Sequence, residues 1–175
     1  MLDAMIAAGL VSESWSAWRV FWKAVFALPM EAAELLIYQR HTGRTNPPTK
    51  PVTEAWQPIG RRGGKSRNAA VAAAYLAIRR DHTAYLAPGE RGVIPVIAAD
   101  RKQAQQVLRY LKGLAALPTF KPYVARVLKE AVEFGTGVTV EVFTASFRTT
   151  RGFTVVGLAV ALLPNKRLKL AAPGL

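Results

Sequence analysis

The segment Gly60-Arg61-Arg62-Gly63-Gly64-Lys65-Ser66, followed by Arg67-Asn68 and a run of alanines, constrains this chain more than any other stretch. Its glycines allow the backbone to fold closely around an anion, and Lys65 adds a mobile positive charge. Ser66 offers a hydroxyl to a magnesium ion. The alanine-rich stretch is a strong helix former, and the N-terminus of that helix would point at the bound group. One detail departs from the usual spacing of a triphosphate-binding turn. The position six residues before the lysine is Ile59, and the glycine comes one place late, at Gly60. A glycine- and arginine-rich surface turn is the competing reading of the same residues.

The 175 residues are enough for one domain with a real core, and a hydrophobic share of 51% makes the chain globular rather than disordered. Lys and Arg number 24 against 11 acidic residues, a net charge of +13, which favours polyanions such as nucleic acid or nucleotide phosphates. A basic protein that is merely soluble, or a fragment missing an acidic half, would carry the same imbalance. There is no cysteine, which excludes disulfides, thiolate zinc sites and cysteine nucleophiles. The two histidines, His41 and His82, are far apart and are expected at the surface or at helix ends. The N-terminus carries Asp3 and no basic residue, unlike a secretory signal, and the apolar run 153–163 is too short to cross a bilayer. The expectation is a cytoplasmic chain with no membrane contact.

Trp15, Trp18, Trp22, Val25 and Phe26 recur at helical spacing, so Ser14 to Leu28 is expected to form an amphipathic helix with an aromatic core stripe. A second helix is expected from Met30 to His41, with Glu31 and Glu34 early, Arg40 and His41 late, and Gly43 as its stop. The prolines between Thr45 and Pro51 mark a linker. Residues 1–52 thus form a helical lead-in. Thr53 to Gly60 is expected as a short strand feeding the glycine turn, and Lys65 to Arg80 as the helix after it. Gly92 to Ala99 has the pattern of a buried parallel strand, and Asp100 is placed to cap a helix over 101–114. Pro118 to Glu130 is expected as a short helix. Ala131 to Phe134, the turn 135–137 and Val138 to Phe143 are expected as a hairpin, and Phe153 to Val160 as a further strand. Alternating strands and helices imply an α/β sheet with right-handed crossovers. Pro58 and Pro95 sit awkwardly in two of these strands, because proline cannot donate to a sheet ladder.

The blocks GRRGGKSRNAA, YLAPGERGVIPVIAADRKQAQQVLRYL and VEVFTASFRTTRGFTVV, with the lead-in SWSAWRVFWKAVFALP and YQRHTGR, resemble the N-terminal ATPase part of phage terminase large subunits. Those proteins package viral DNA into a capsid. The resemblance covers most of 14–160. It implies a partial P-loop NTPase (RecA-like) parallel sheet with flanking helices over residues 53–160, with ATP and magnesium as cofactors. It also implies double-stranded DNA, a portal ring and a small terminase subunit as partners of the full-length protein, in a bacterial host cell. In that family the loop is an arginine-rich Walker A variant without the first glycine, which accounts for Ile59. An arginine of the loop reaches the γ-phosphate there, and Arg61 and Arg62 occupy those positions. By the same likeness Lys65 would bridge the β- and γ-phosphates and Ser66 would hold magnesium, while Gly60, Gly63 and Gly64 would turn backbone amides toward the phosphates. The family's adenine-recognising segment lies upstream, where Gln39 and Trp56 are the candidates. Gln39 read by itself is a helix-surface residue and Trp56 a core residue. Arg148 and Arg151, within 144–152, would sense nucleotide or touch DNA phosphate, although a solvated basic loop explains them equally well.

Phosphoryl transfer also needs an acid to fix magnesium and a carboxylate to orient water. In terminases these are an adjacent Asp-Glu at the end of the strand that here would be 153–160. No Asp or Glu follows Glu141 in this chain. Asp100 follows a neighbouring strand, where helix capping is its expected role. Residues 161–175 lack the family pattern and form a basic tail, so the expectation is a frame or gene broken just after Val160, leaving an ATPase without its acidic pair and nuclease domain. A divergent, complete small protein is the alternative to truncation; the alternatives in function are a non-catalytic basic α/β module that binds nucleic acid, or a non-functional prophage remnant.

Overall fold

The computed structural model describes residues 1–98, 100–144 and 160–162. The chain divides into two compact units, Met1–Gln57 and Pro58–Leu175. The first is helical: α1 (Leu2–Ala7), a single 3-10 turn over Glu13–Trp15, α2 (Ser16–Val25) and α3 (Ala32–Thr42). The expected long first helix is therefore a 3-10 turn running into α2, and α1 was not foreseen. On α2 the aromatic stripe is buried only in part, since Trp18, Val25 and Phe26 are half-buried. Trp22 is buried, and its ring lies 4.8 Å from Phe21, 6.5 Å from Trp18 and 6.0 Å from Phe26. Such ring contacts add about 1 kcal/mol each beyond area burial. Lys23 Nζ on α2 reaches Glu34 Oε2 on α3 at 2.5 Å, and the same oxygen accepts the Glu31 N–H at 2.9 Å. One carboxylate thus ties the two helices and caps the second. Gly43 ends α3 with φ of 68°, a conformation glycine adopts without a Cβ clash.

The second unit opens with α4 (Lys65–Arg79) and continues with β1 (Gly92–Ala98), α5 (Arg101–Ala116), β2 (Val124–Val127), β3 (Ala131–Phe134), β4 (Val138–Thr144) and β5 (Val160–Leu162). The sheet order is β2-β3-β4-β1-β5. β1 runs parallel to β4 and β5, whereas β3 is antiparallel to both β4 and β2, so the sheet is mixed. The α/β class and the 131–143 hairpin are as expected. Two expected elements are not. Residues 53–60 form no strand: Thr53 to Pro58 are exposed, and two prolines at 51 and 58 remove ladder donors. The expected helix over 118–130 is a 3-10 turn at Lys121–Tyr123 followed by β2. Pro122 breaks a helical hydrogen-bond ladder there, and Val124 and Val127 favour extended backbone. The expected strand 153–160 falls, except for Val160, outside the described residues; β5 begins at that valine.

Pro95 causes no register break, since β1 pairs with β4 residue for residue from Gly92↔Val138 to Ala98↔Thr144. Gly92 donates to the Gly137 carbonyl at 3.1 Å on the β4 side. In a parallel ladder the bonding side alternates along the strand. Ile94 and Val96 therefore donate toward β4, and the missing donor of Pro95 falls on the other side, where β5 pairs from Val96 onward.

α4 and α5 pack against each other and against β1 and β4. Ile94, Val96, Ala98, Val132, Phe134, Val138 and Val140 are buried beneath them. On α4 every residue from Asn68 to Ala74 is buried, and the small alanine side chains let the helix lie close to its neighbours. Asp100 caps α5 as expected, its carboxylate accepting the Gln103 N–H at 2.9 Å. On the other sheet face Glu133, Thr139 and Glu141 are only half-buried. Burial, and then the nearby charge of Glu130, push the Glu141 carboxyl above its ordinary value.

Replacing the α5 cap by Asp100→Ala should cost about 1 kcal/mol in a urea unfolding curve. The raised Glu141 carboxyl holds its proton more tightly in the folded state than in the unfolded one. Stability is therefore lost as pH rises from the ordinary carboxylate value through the raised one. Glu141→Gln should accordingly raise the melting temperature at neutral pH, and the gain should vanish below about pH 4.

Candidate functional site

The glycine-rich turn leads directly into α4, whose first residue is Lys65. The Gly63 N–H donates to the Gly60 carbonyl at 3.3 Å, closing a tight turn over Arg61 and Arg62. Arg62 has φ of 62° and Gly64 φ of 79°, both left-handed. A non-glycine residue in that region costs about 1–2 kcal/mol, so the strain at Arg62 is held by the surrounding turn. A Cβ on Gly63 would lie 2.4 Å from Ile59 Cγ2, and Gly64 needs its positive φ. A Cβ at Gly60 would meet nothing within 4 Å, so only two of the three glycines are demanded by space or backbone.

The direction of α4 follows from its far end. The Ala77 carbonyl accepts from Thr136 Oγ1 at 2.6 Å, and Thr136 lies in the turn just ahead of β4. The last turn of α4 therefore sits at the edge where β1 and β4 begin. A helix of 15 residues is about 22 Å long, and a strand of seven residues spans nearly the same distance. Lying over β1, β4 and β5, the helix emerges with Lys65 at the edge where these parallel strands end.

That helix start is suited to an anion. Gly64 caps α4 with no side-chain hydrogen bond, leaving the helix dipole uncovered by a carboxylate. Arg61, Arg62, Lys65 and Arg67 surround it, and no acidic residue occurs between Glu54 and Asp81. Arg61 and Arg62 are exposed, while Lys65 and Ser66 are half-buried. Among the described residues the side chains of Arg61, Arg62, Lys65 and Ser66 make no hydrogen bond or ion pair.

The remaining expected site residues are not part of the loop. Gln39 and Trp56 belong to the first unit, not to that of the loop. Gln39 Nε2 donates to the Thr45 carbonyl at 3.0 Å beside a shallow hollow formed with Gly43 and Arg44. Trp56, expected in a core when read by itself, is 75% exposed, and its indole N–H donates to Glu54. Arg148 and Arg151 lie outside the described residues. Asn68 was missed: it is fully buried on the first turns of α4, and its only signal in the sequence is a polar side chain opening an alanine run.

The donor set fits a phosphate chain better than a free cation. Among the described residues no group of three His, Cys, Asp or Glu side chains could hold a metal ion. The Asp100 carboxylate, which follows β1, is engaged in its helix cap. Comparison with protein-family models, with curated proteins and with solved structures gives no match. Among the described residues no helix is long and apolar enough to cross a membrane.

Gly64→Ala forces a Cβ into left-handed backbone and should destabilise the fold by about 1–2 kcal/mol, read from chemical unfolding. Gly60→Ala should leave the midpoint unchanged.

Proposed function

We propose that residues 60–66 bind the triphosphate tail of a nucleotide together with magnesium, and that the chain is the nucleotide-binding front of a DNA-packaging ATPase of the terminase large-subunit kind. The observation that carries this reading is the coincidence of a strained, glycine-built turn, a helix start with no side-chain cap and four cations in a stretch of sequence free of acids. The P-loop NTPase (RecA-like) arrangement is part of this proposal; the mixed α/β sheet with parallel strands β4, β1 and β5 beneath α4 is compatible with it, although no strand feeds the loop.

In this reading Lys65 neutralises the β- and γ-phosphates, backbone amides from Gly63 to Ser66 cradle them, and Ser66 presents its hydroxyl to the metal. Arg61 and Arg62 are exposed and unengaged among the described residues, and in this reading they would contact the terminal phosphate. Magnesium supplies charge neutralisation between the phosphates when bound. The proposal is confined to binding. Double-stranded DNA, a portal ring and a small terminase subunit are the partners this family reading entails, in a bacterial host cell.

The net charge of +13 favours a second reading, a basic module that grips nucleic acid through its phosphates without using nucleotide. A fluorescent ATP analogue titrated with and without magnesium separates the two. Lys65→Ala should weaken its binding at least tenfold, about 1.4 kcal/mol. Equal binding by wild type and variant would overturn the loop reading. Duplex-DNA binding that falls steeply with salt and ignores ATP would support the second.

A further inference from the structure

Asn68 is fully buried, whereas its immediate successors on the same helix are alanines. A buried amide costs free energy unless it is hydrogen-bonded, so a polar side chain at this point needs a physical reason. Its Nδ2 donates to the Gly64 carbonyl at 3.4 Å, and its backbone N–H donates to the same oxygen at 3.0 Å. One residue therefore contributes both donors to the carbonyl of the residue that caps α4.

We propose that Asn68 is a positioning residue of the phosphate loop, holding the Gly64–Lys65 peptide so that the Lys65 N–H faces outward from the helix start toward a bound phosphate. The inference rests on the nucleotide-binding reading above. Its physical basis is the rigidity of the peptide unit. In a planar trans peptide the C=O and the following N–H point in opposite directions. Two donors drawing the Gly64 oxygen down into α4 thereby aim the Lys65 amide the other way, out of the helix end. Gly64 sits at φ of 79° with no Cβ to restrict it, so its peptide has more rotational freedom than most and gains most from such a tether. The backbone bond alone is what any helix supplies. The side-chain bond is the addition, and it comes from a position where an alanine would continue the run.

The test compares side chains of equal size with and without a donor, in the full chain, using the fluorescent ATP analogue with magnesium. Asn68→Ala and Asn68→Ser leave nearly the same cavity, but a helical serine can donate back to the carbonyl four residues earlier. Both variants should melt at similar, lowered temperatures. Asn68→Ala should bind the analogue about tenfold more weakly than wild type, and Asn68→Ser should recover to within about threefold. A role confined to packing predicts equal binding by the two, and that result would overturn the proposal. Should the small variants fail to fold, Asn68→Thr and Asn68→Val give the same comparison between isosteres. Lys65→Ala runs alongside: if it binds like wild type, the loop reading itself fails, whereas a loss at Lys65 with no difference between the paired variants sinks only the role of Asn68.

Discussion

The parallel pairing of β1 with β4 is the interaction on which the second unit depends. Seven consecutive residues match without a bulge, and the buried faces of both strands are aliphatic. Parallel pairing requires a crossover, and α5 supplies it, carried on the sheet by Val107, Leu108 and Leu111. The same face then accommodates α4, whose alanines allow close approach. Because α4 is anchored at its far end by the Thr136–Ala77 bond and is about as long as the strands, its start is delivered to the edge where they finish. The position of the glycine turn is thus a consequence of sheet packing and helix length, not of the turn itself.

A helix start of this kind has a conflict built into it. The backbone must turn through left-handed φ at Arg62 and Gly64, which costs stability, and Arg61, Arg62 and Lys65 gather positive charge within five residues. Such an arrangement is poor for folding and good for holding a polyanion, which would relieve both the uncovered dipole and the clustered charge. Asn68 belongs to the same economy of structure: a buried polar group whose bond to Gly64 steadies the one peptide that glycine leaves loose.

Legibility differed by element for physical reasons. α3, α4, α5 and the β3–β4 hairpin were plain because each carries its own local signal: a glycine stop, an alanine run, an aspartate cap, a Gly-Thr-Gly turn. The residues 53–60 misled because an extended stretch and a strand look alike in sequence, and only a partner strand distinguishes them. β2 was masked by a proline-rich approach that suggested a short helix, while its valines favoured the ladder that β3 offers. At the site, Lys65, Ser66, Gly63 and Gly64 were legible from composition and spacing. Gln39 and Trp56 were named through family likeness, and the fold places them in a separate unit from the loop.

By itself the amino-acid sequence determined the chemistry on offer: a glycine-rich turn with a lysine and arginines ahead of a strong helix, no cysteine, and no acid after Glu141. These follow from residue identity and hold whatever the chain folds into. Only the tertiary structure decided that the turn opens at the ends of parallel strands, that no strand leads into it, and that Asn68 faces inward to tether Gly64. Those outcomes depend on which segments find ladder partners and which helix face is covered, and such long-range pairings leave no local mark in a sequence.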